Sequence, residues 1–345
     1  MAYSRNMSKV RLTNLDALRG LAALAVCLYH FDPNGLIGIS FLSAIFRHGH
    51  LGVDVFFVIS GFVIPLSLHR TGYGIADWRG FLVSRFFRLY PAYFAAGVAA
   101  IGIEYLAAQA PGFPGDSPFF SNSQILSNLF LLCDFTGEGW VIGVFWTLAI
   151  EAQYCVLIAV TFSFISSSNS LLRRMTLATW IIAPLIAGNG PTVFSWTALF
   201  AVGIVAYLRK EKKIESVEFI IVTLAAVAVQ IVAKSWLSGS FGAVTALAIL
   251  FLPNLRLKGF LWIGAVSYSL YLIHLPFGGR VMNLAQRLPE IAWIRLLAAG
   301  VALGLSLVMA AALYRLIEMP SHAFARNARR QILSRRSSQT DRTEP

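Results

Sequence analysis

The sequence predicts an all-α polytopic membrane protein of about ten transmembrane helices, with both termini cytoplasmic. Three observations carry that prediction. Hydrophobic residues make up 57% of the 345 and charged residues 13%, with a mean hydropathy of +0.69, a balance that ordinary water-soluble domains do not have. The apolar residues gather into segments near the ~20-residue length a helix needs to cross a ~30 Å bilayer core. The 28 Lys and Arg residues fall mostly on one side of the membrane once those segments are counted off.

The first segment, residues 15–31, follows Arg5, Lys9 and Arg11. It lacks a small-residue cleavage site and is expected to stay as helix one rather than leave as a signal peptide. The other spans are predicted over 51–68, 89–107, 145–165, 175–187, 192–208, 219–233, 241–252, 260–277 and 293–317. Two are short: Pro184 interrupts one and Pro253 closes another. With the N-terminus inside, the cytoplasmic segments collect Arg70, Arg79, Arg85, Arg88, Arg173, Arg174, the Arg209 to Lys213 cluster, Arg256, Lys258 and the arginines from Arg315 onward. The opposite side holds Arg47, Lys234, Arg280, Arg287 and Arg295. Dropping a weak span would reverse every later loop, so this asymmetry favours ten.

The domain organisation that follows is a cytoplasmic N-terminus at 1–14, one membrane domain at 15–320 and a basic cytoplasmic tail at 321–345, expected to be disordered. A basic tail beside a span is a topology and lipid-surface signal, which makes membrane lipids a partner. The external stretch from Gln109 to Val144 carries Pro111, Pro114 and Pro118 and an apolar segment at 125–132 too short to span. It reads as a loop with a surface-lying helix, or as a lid over a cavity.

Several classes are excluded. The formal charge of +12 has its source in cytoplasmic loop bias, so no nucleic-acid partner is expected. Cys27, Cys133 and Cys155 form no close-spaced pair and read as small core residues. No metal-ligand spacing, nucleophile elbow or phosphate-binding glycine loop followed by Lys is present, and no metal is expected.

Ionisable groups at membrane depth are costly and mark reaction sites or substrate paths. In LDALRGLAALAVCLYHF, His30 lies roughly 16 Å above Arg19 along the helix. Glu151 in FWTLAIEAQY lies roughly 9 Å below the outer end of its span, and His274 in SYSLYLIHLP roughly 20 Å up a rising one. Asp54 in GVDVFFVISGF is at similar depth, so four ionisable side chains converge on the outer layer. For Asp54 and His274, pairing that ties helices together competes evenly with function. For His30 and Glu151 the favoured reading is acid–base chemistry, in which Glu151 holds the tautomer of a histidine that takes a proton from a hydroxyl. On the cytoplasmic side SRFFRLYP sets Arg85 and Arg88 three apart on one helix face. Positive-inside anchoring explains them, and so does docking of a polyphosphate such as coenzyme A, with Arg19 in the same half. Gly52, Ser60 and Gly61 fit packing or a narrow acyl path.

Taken together, LDALRGLAALAVCLYH, GVDVFFVISGF, RFFRLYP, FWTLAIE, SYSLYLIH and YRLIEMP resemble the successive signatures of the acyltransferase family 3 membrane proteins, the group that includes O-antigen and exopolysaccharide acetylases. The resemblance runs from helix one to Pro320 in the family's order. It implies a multi-pass enzyme of the bacterial inner (cytoplasmic) membrane that moves an acyl group, commonly acetyl, from cytoplasmic acyl-CoA to a hydroxyl of a cell-surface or secreted glycan or another acceptor. Under it, Arg19 and His30 match the family's essential arginine-to-histidine pair, Arg85 and Arg88 its cytoplasmic arginine pair and Glu151 its acidic position; with the depth reading, His30 and Glu151 are expected to be catalytic and Arg19, Arg85 and Arg88 to bind acetyl-CoA, while Asp54, Ser60, Tyr268 and His274 are further site candidates from the residues themselves. Many relatives append a soluble esterase-like domain, whereas only about 25 residues follow Pro320. Whether a separate periplasmic partner protein completes the transfer stays open. The competing class is a transporter or flippase of a glycan precursor or acyl group, whose buried charges would couple substrate to protons.

Overall fold

The computed structural model describes residues 12–109, 118–254 and 258–328. Among the described residues every regular element is helical. The ten predicted spans correspond to ten helices: α1 (Thr13–Phe31), α2 (Gly52–Arg70), α3 (Trp78–Ala108), α4 (Trp146–Ile165), α5 (Ser170–Ala187), α6 (Thr197–Lys210), α7 (Ser216–Ala233), α8 (Trp236–Phe251), α9 (Lys258–Ile273) and α10 (Ala292–Leu313). Among the described residues, eight stretches are long and apolar enough to cross a membrane, which makes this a multi-pass membrane protein. The other two predicted spans are α1, which carries Asp16 and Arg19, and α8, which has 16 residues. The N-terminal arginines, Arg256 and the tail beyond Ala328 lie outside the described residues.

Helix α3 extends the expected span at its N-terminal end, so Arg79, Arg85 and Arg88 sit on one continuous helix with the span itself. In the external stretch, the apolar segment forms a short helix, Asn122–Leu129, capped by the Ser121 hydroxyl accepting from the Gln124 amide at 2.9 Å. That cap satisfies one of the orphan amides a helix start leaves. The Tyr93 hydroxyl on α3 donates to the Asn128 carbonyl at 2.6 Å and fastens this helix to the bundle.

Two apolar cores share the bundle. One unites α2, α4, α5, α6, α7 and α8; the other unites α1, α9, α10 and the α3 face bearing Ala92, Tyr93 and Ala96. Backbone-to-backbone crossings hold each together. A Cβ at Gly264 of α9 would lie 2.0 Å from the Asp16 carbonyl of α1, and one at Gly203 of α6 would lie 2.0 Å from the Val58 carbonyl of α2. Lipid tails are as apolar as the helix surfaces, so such contact through small residues supplies packing that hydrophobic exclusion cannot. Gly52 and Gly61 likewise meet the carbonyls of Ala22 and Phe200, which resolves both as packing residues.

Two π-turns interrupt the helical ladder. The first, His274–Gly279, follows α9 and contains Pro276, which has no amide to give the ladder. It continues into the helical turn Arg280–Ala285. The second, Tyr314–Glu318, follows α10, and the chain then remains helical to Ala328, through residues expected to begin the disordered tail. Insertions of this kind redirect side chains within a helix and concentrate at functional sites.

Candidate functional site

The seam between the two cores opens into a cavity with about 860 Å³ of empty space, part of it open to solvent, that receives side chains from α1, α2, α3, α4 and α9. Arg19 reaches it from α1, and Arg85 and Arg88 from adjacent turns of α3. Glu151 of α4 and Glu318 of the second π-turn face the same space, with Ser60, Tyr268 and His322. Among the described residues no ion pair joins the three arginines to a carboxylate. Three guanidiniums thus share a partly enclosed space with two carboxylates, an arrangement with spare donors for an anion. Arg forks match phosphate oxygens two at a time, and reduced solvent screening strengthens each contact.

Glu318 is held rather than loose. The Ser269 hydroxyl donates to Glu318 Oε2 at 2.6 Å, and His322 Nε2 approaches Glu318 Oε1 at 3.7 Å. The Tyr268 hydroxyl donates to the Leu89 carbonyl at 2.7 Å, which ties α9 to the arginine-bearing helix. Ser60 is half-buried in the lining of the same cavity.

His30 faces elsewhere. It lines a second cavity of about 790 Å³ together with Pro33, Glu104 near the end of α3, Phe120, the 141–143 loop and the first π-turn through Asn283. The sequence reading set Glu151 behind His30; the geometry puts Glu151 on the arginine cavity and His30 on this outer one. The ring beside His30 is His274, with centroids 5.2 Å apart. His274 is fully buried. Its Nδ1 lies 2.8 Å from the Tyr271 carbonyl and 3.2 Å from the Leu270 carbonyl. Carbonyls only accept, so Nδ1 carries the proton. The Nε2 of His274 has no hydrogen-bond partner among the described residues, and in the neutral ring it is an open acceptor next to His30.

A thin partition separates the cavities. The Tyr271 ring lines the arginine cavity and stands 5.9 Å from the His274 ring. Its hydroxyl meets Thr147 Oγ1 at 2.8 Å, and the Thr147 hydroxyl donates to the Val144 carbonyl at 2.9 Å. Phe56 braces the same ring edge-on at 5.8 Å.

Asp54 lines neither cavity. It is buried at 6% exposure among Ser238, His50 and Lys234. The Lys234 ammonium lies 4.1 Å over the Trp196 ring and 2.7 Å from Asn189 Oδ1. Partial burial lowers its pKa, opposed by the nearby Asp54 charge. Asp54 thus lies where α2 meets the end of α7 and the start of α8.

The outer cavity also holds a pair that sequence reasoning missed. Arg280 Nη2 contacts Glu104 Oε2 as a salt bridge, each side chain about one-third exposed. Glu104 carried a readable signal, an acid inside a predicted span, whereas Arg280 was read only as an external loop charge. Glu318 and His322 were missed because YRLIEMP gives no hint that a π-turn rotates its glutamate inward.

The family profile described as an acyltransferase domain matches residues 12–315. YrhL of Bacillus subtilis, provisionally named a peptidoglycan O-acetyltransferase, is 29% identical over 164 residues, which are 45% of this chain and 24% of YrhL. A Staphylococcus aureus protein provisionally named an O-acetyltransferase is 37% identical over 83 residues, 24% of this chain and 12% of that protein. The acyltransferase MdmB of Streptomyces mycarofaciens is 30% identical over 154 residues, 42% of this chain and 38% of MdmB. The matches thus span well under half the length of these relatives. No solved structure matches the chain.

Proposed function

The chain belongs to the acyltransferase domain family, and from that premise we propose that it is an O-acyltransferase that carries an acetyl group from cytoplasmic acetyl-CoA to a hydroxyl of a surface or secreted glycan. The proposal includes ten transmembrane helices with both termini cytoplasmic and residence in a bacterial inner membrane. The observation that carries it is the pairing of an arginine cavity with a histidine cavity across one residue layer.

In this reading Arg85, Arg88 and Arg19 hold the phosphates of the donor, and the thioester arm reaches past Ser60 and Tyr268 toward the Tyr271 partition. His30 takes the proton of the acceptor hydroxyl as its oxygen attacks the thioester carbonyl, the C–S bond breaks, and the departing thiolate receives a proton. General-base help of this kind contributes ~10²–10⁴ in rate. His274, whose Nε2 can accept from a His30 N–H, fixes the tautomer that leaves the other His30 nitrogen bare. Glu151 belongs to the donor end, where its carboxylate balances part of the arginine charge, and the thiolate takes up the proton that His30 received from the acceptor hydroxyl. An acyl-His30 intermediate is the two-step form of the same chemistry.

The test is mass spectrometry of surface and secreted glycans from cells carrying the wild-type chain or His30→Ala at matched protein levels. Loss of one acyl mass from a defined glycan in the variant is the expected result. Identical glycans, with the variant present and folded, would overturn the reading and favour a transporter.

A further inference from the structure

The outer cavity holds more than a base. Its ionisable lining groups are His30, Glu104 and Arg280. The last two come from elements far apart in sequence, the outer part of α3 and the turn that follows the first π-turn, and meet as an ion pair across the cavity. Each keeps about one-third of its side chain exposed, so the pair has donors and acceptors left over for a guest. A guanidinium has five N–H donors and a carboxylate has several lone-pair sites, far more than one contact uses. Asn283 adds an amide on the exposed rim, and Phe120 adds an apolar face, steadied by Tyr105 at 6.2 Å between ring centroids.

We propose that this cavity is the acceptor subsite and that it is built for a neutral pyranose ring, with Glu104, Arg280 and Asn283 reading its hydroxyls and Phe120 covering its C–H face. The inference rests on the acyl-transfer reading and deepens it. Its chemistry follows from the lining. Vicinal hydroxyls each donate and accept, which suits a carboxylate beside a guanidinium; a site of this type rejects an analogue without the hydroxyls because its polar groups are then left unpaired. Glu104 and Arg280 cancel each other's charge, so an anionic sugar would have to break the pair to gain Arg280, and a plain alkyl alcohol would leave both without partners. His30 on the same wall places a proton acceptor beside whichever hydroxyl the ring presents.

The experiment uses the full chain in lipid nanodiscs with radiolabelled acetyl-CoA and four acceptor probes: methyl α-D-glucopyranoside, methyl N-acetyl-β-D-glucosaminide, methyl α-D-glucuronide and 1-octanol. The expected result is ester formation on the two neutral glycosides in preference to the glucuronide and octanol. Glu104→Gln, Arg280→Gln and the rim variant Asn283→Ala should each raise the KM for the glycoside, the first two by about tenfold or more, as for loss of a charge-assisted hydrogen bond, with the KM for acetyl-CoA unmoved. The double variant Glu104→Arg/Arg280→Glu separates recognition from mere fastening. A pair that only tied the two segments together would be restored by the swap, whereas hydroxyl recognition would not. Unchanged glycoside KM in the single variants, full restoration by the swap, or preferential transfer to octanol or the glucuronide would each overturn the inference while acyl transfer stands. No thioester turnover by the wild-type chain with any probe would overturn the transfer reading and this inference with it.

Discussion

The Tyr271 phenol and the Thr147 hydroxyl meet at 2.8 Å on the wall between the arginine cavity and His30. Both residues are buried at 7% exposure, and the Tyr271 oxygen also lies 3.3 Å from the Val144 carbonyl. The contact joins α4 to α9.

Because the two hydroxyls share one contact, their losses should not add. Tyr271→Phe and Thr147→Val are each expected to destabilise the protein by about 1 kcal/mol, and the double variant by less than the sum, with a coupling of at least ~0.5 kcal/mol. Denaturation in matched detergent reads this as a double-mutant cycle. Simple additivity would mean that the contact contributes nothing of its own.

Arg85 and Arg88 should affect donor binding before turnover. Replacing either by Gln is expected to raise the KM for acetyl-CoA by about tenfold, the scale of a charge-assisted hydrogen bond. Lysine at either position should recover only part, because a point charge cannot replace a planar fork. Steady-state kinetics with varied acetyl-CoA checks this, and lowered turnover at an unchanged donor KM would contradict phosphate docking.

Gly264→Ala should cost folding, since its Cβ would sit 2.0 Å from the Asp16 carbonyl and push α1 from α9. Overpacking of this kind costs ~1–3 kcal/mol. Gly300→Ala is the matched control, because a Cβ there meets nothing within 4 Å. The measure is the monodisperse fraction after solubilisation, expected to fall for the first variant and to hold for the second.

Cys133 should be chemically silent. It is fully buried in the external stretch, and burial pushes its thiol up to about 11, aided by the nearby Asp134 charge. A raised pKa keeps the thiol protonated below that value, and only the thiolate is nucleophilic. Iodoacetamide labelling of the folded protein should therefore stay low at pH 7 to 9, and Cys133→Ala should transfer acyl groups at the wild-type rate. Rapid labelling at neutral pH would show a reactive thiol.

Spacing along a helix was legible from sequence, and facing was not. Rise per residue sets Arg19 and His30 roughly 16 Å apart, because the two share one helix. It could not say that Glu151 turns toward the arginines while His30 turns away, since that depends on how α4 and α1 rotate against neighbours distant in sequence. The residues around His274 illustrate the same limit. A π-turn shifts the phase of every later side chain, and it is this shift that brings Arg280 to Glu104. Asp54, buried beside Ser238 and lining neither cavity, is a further case in which depth alone did not tell which neighbours a side chain meets.

Arg19 and His30 belong to the same uninterrupted helix, and that helix is pinned to α9 by backbone contact. On the proposed route, one end grips the donor's phosphates and the other performs the transfer. The span between them, roughly 16 Å at 1.5 Å per residue, is then a ruler set by covalent geometry rather than by a movable domain. A carrier with a shorter tether would fall short of His30 however tightly its head is held. Donor choice in such an enzyme is a measurement of length, and a single helical turn inserted between Gly20 and Tyr29 would change the answer.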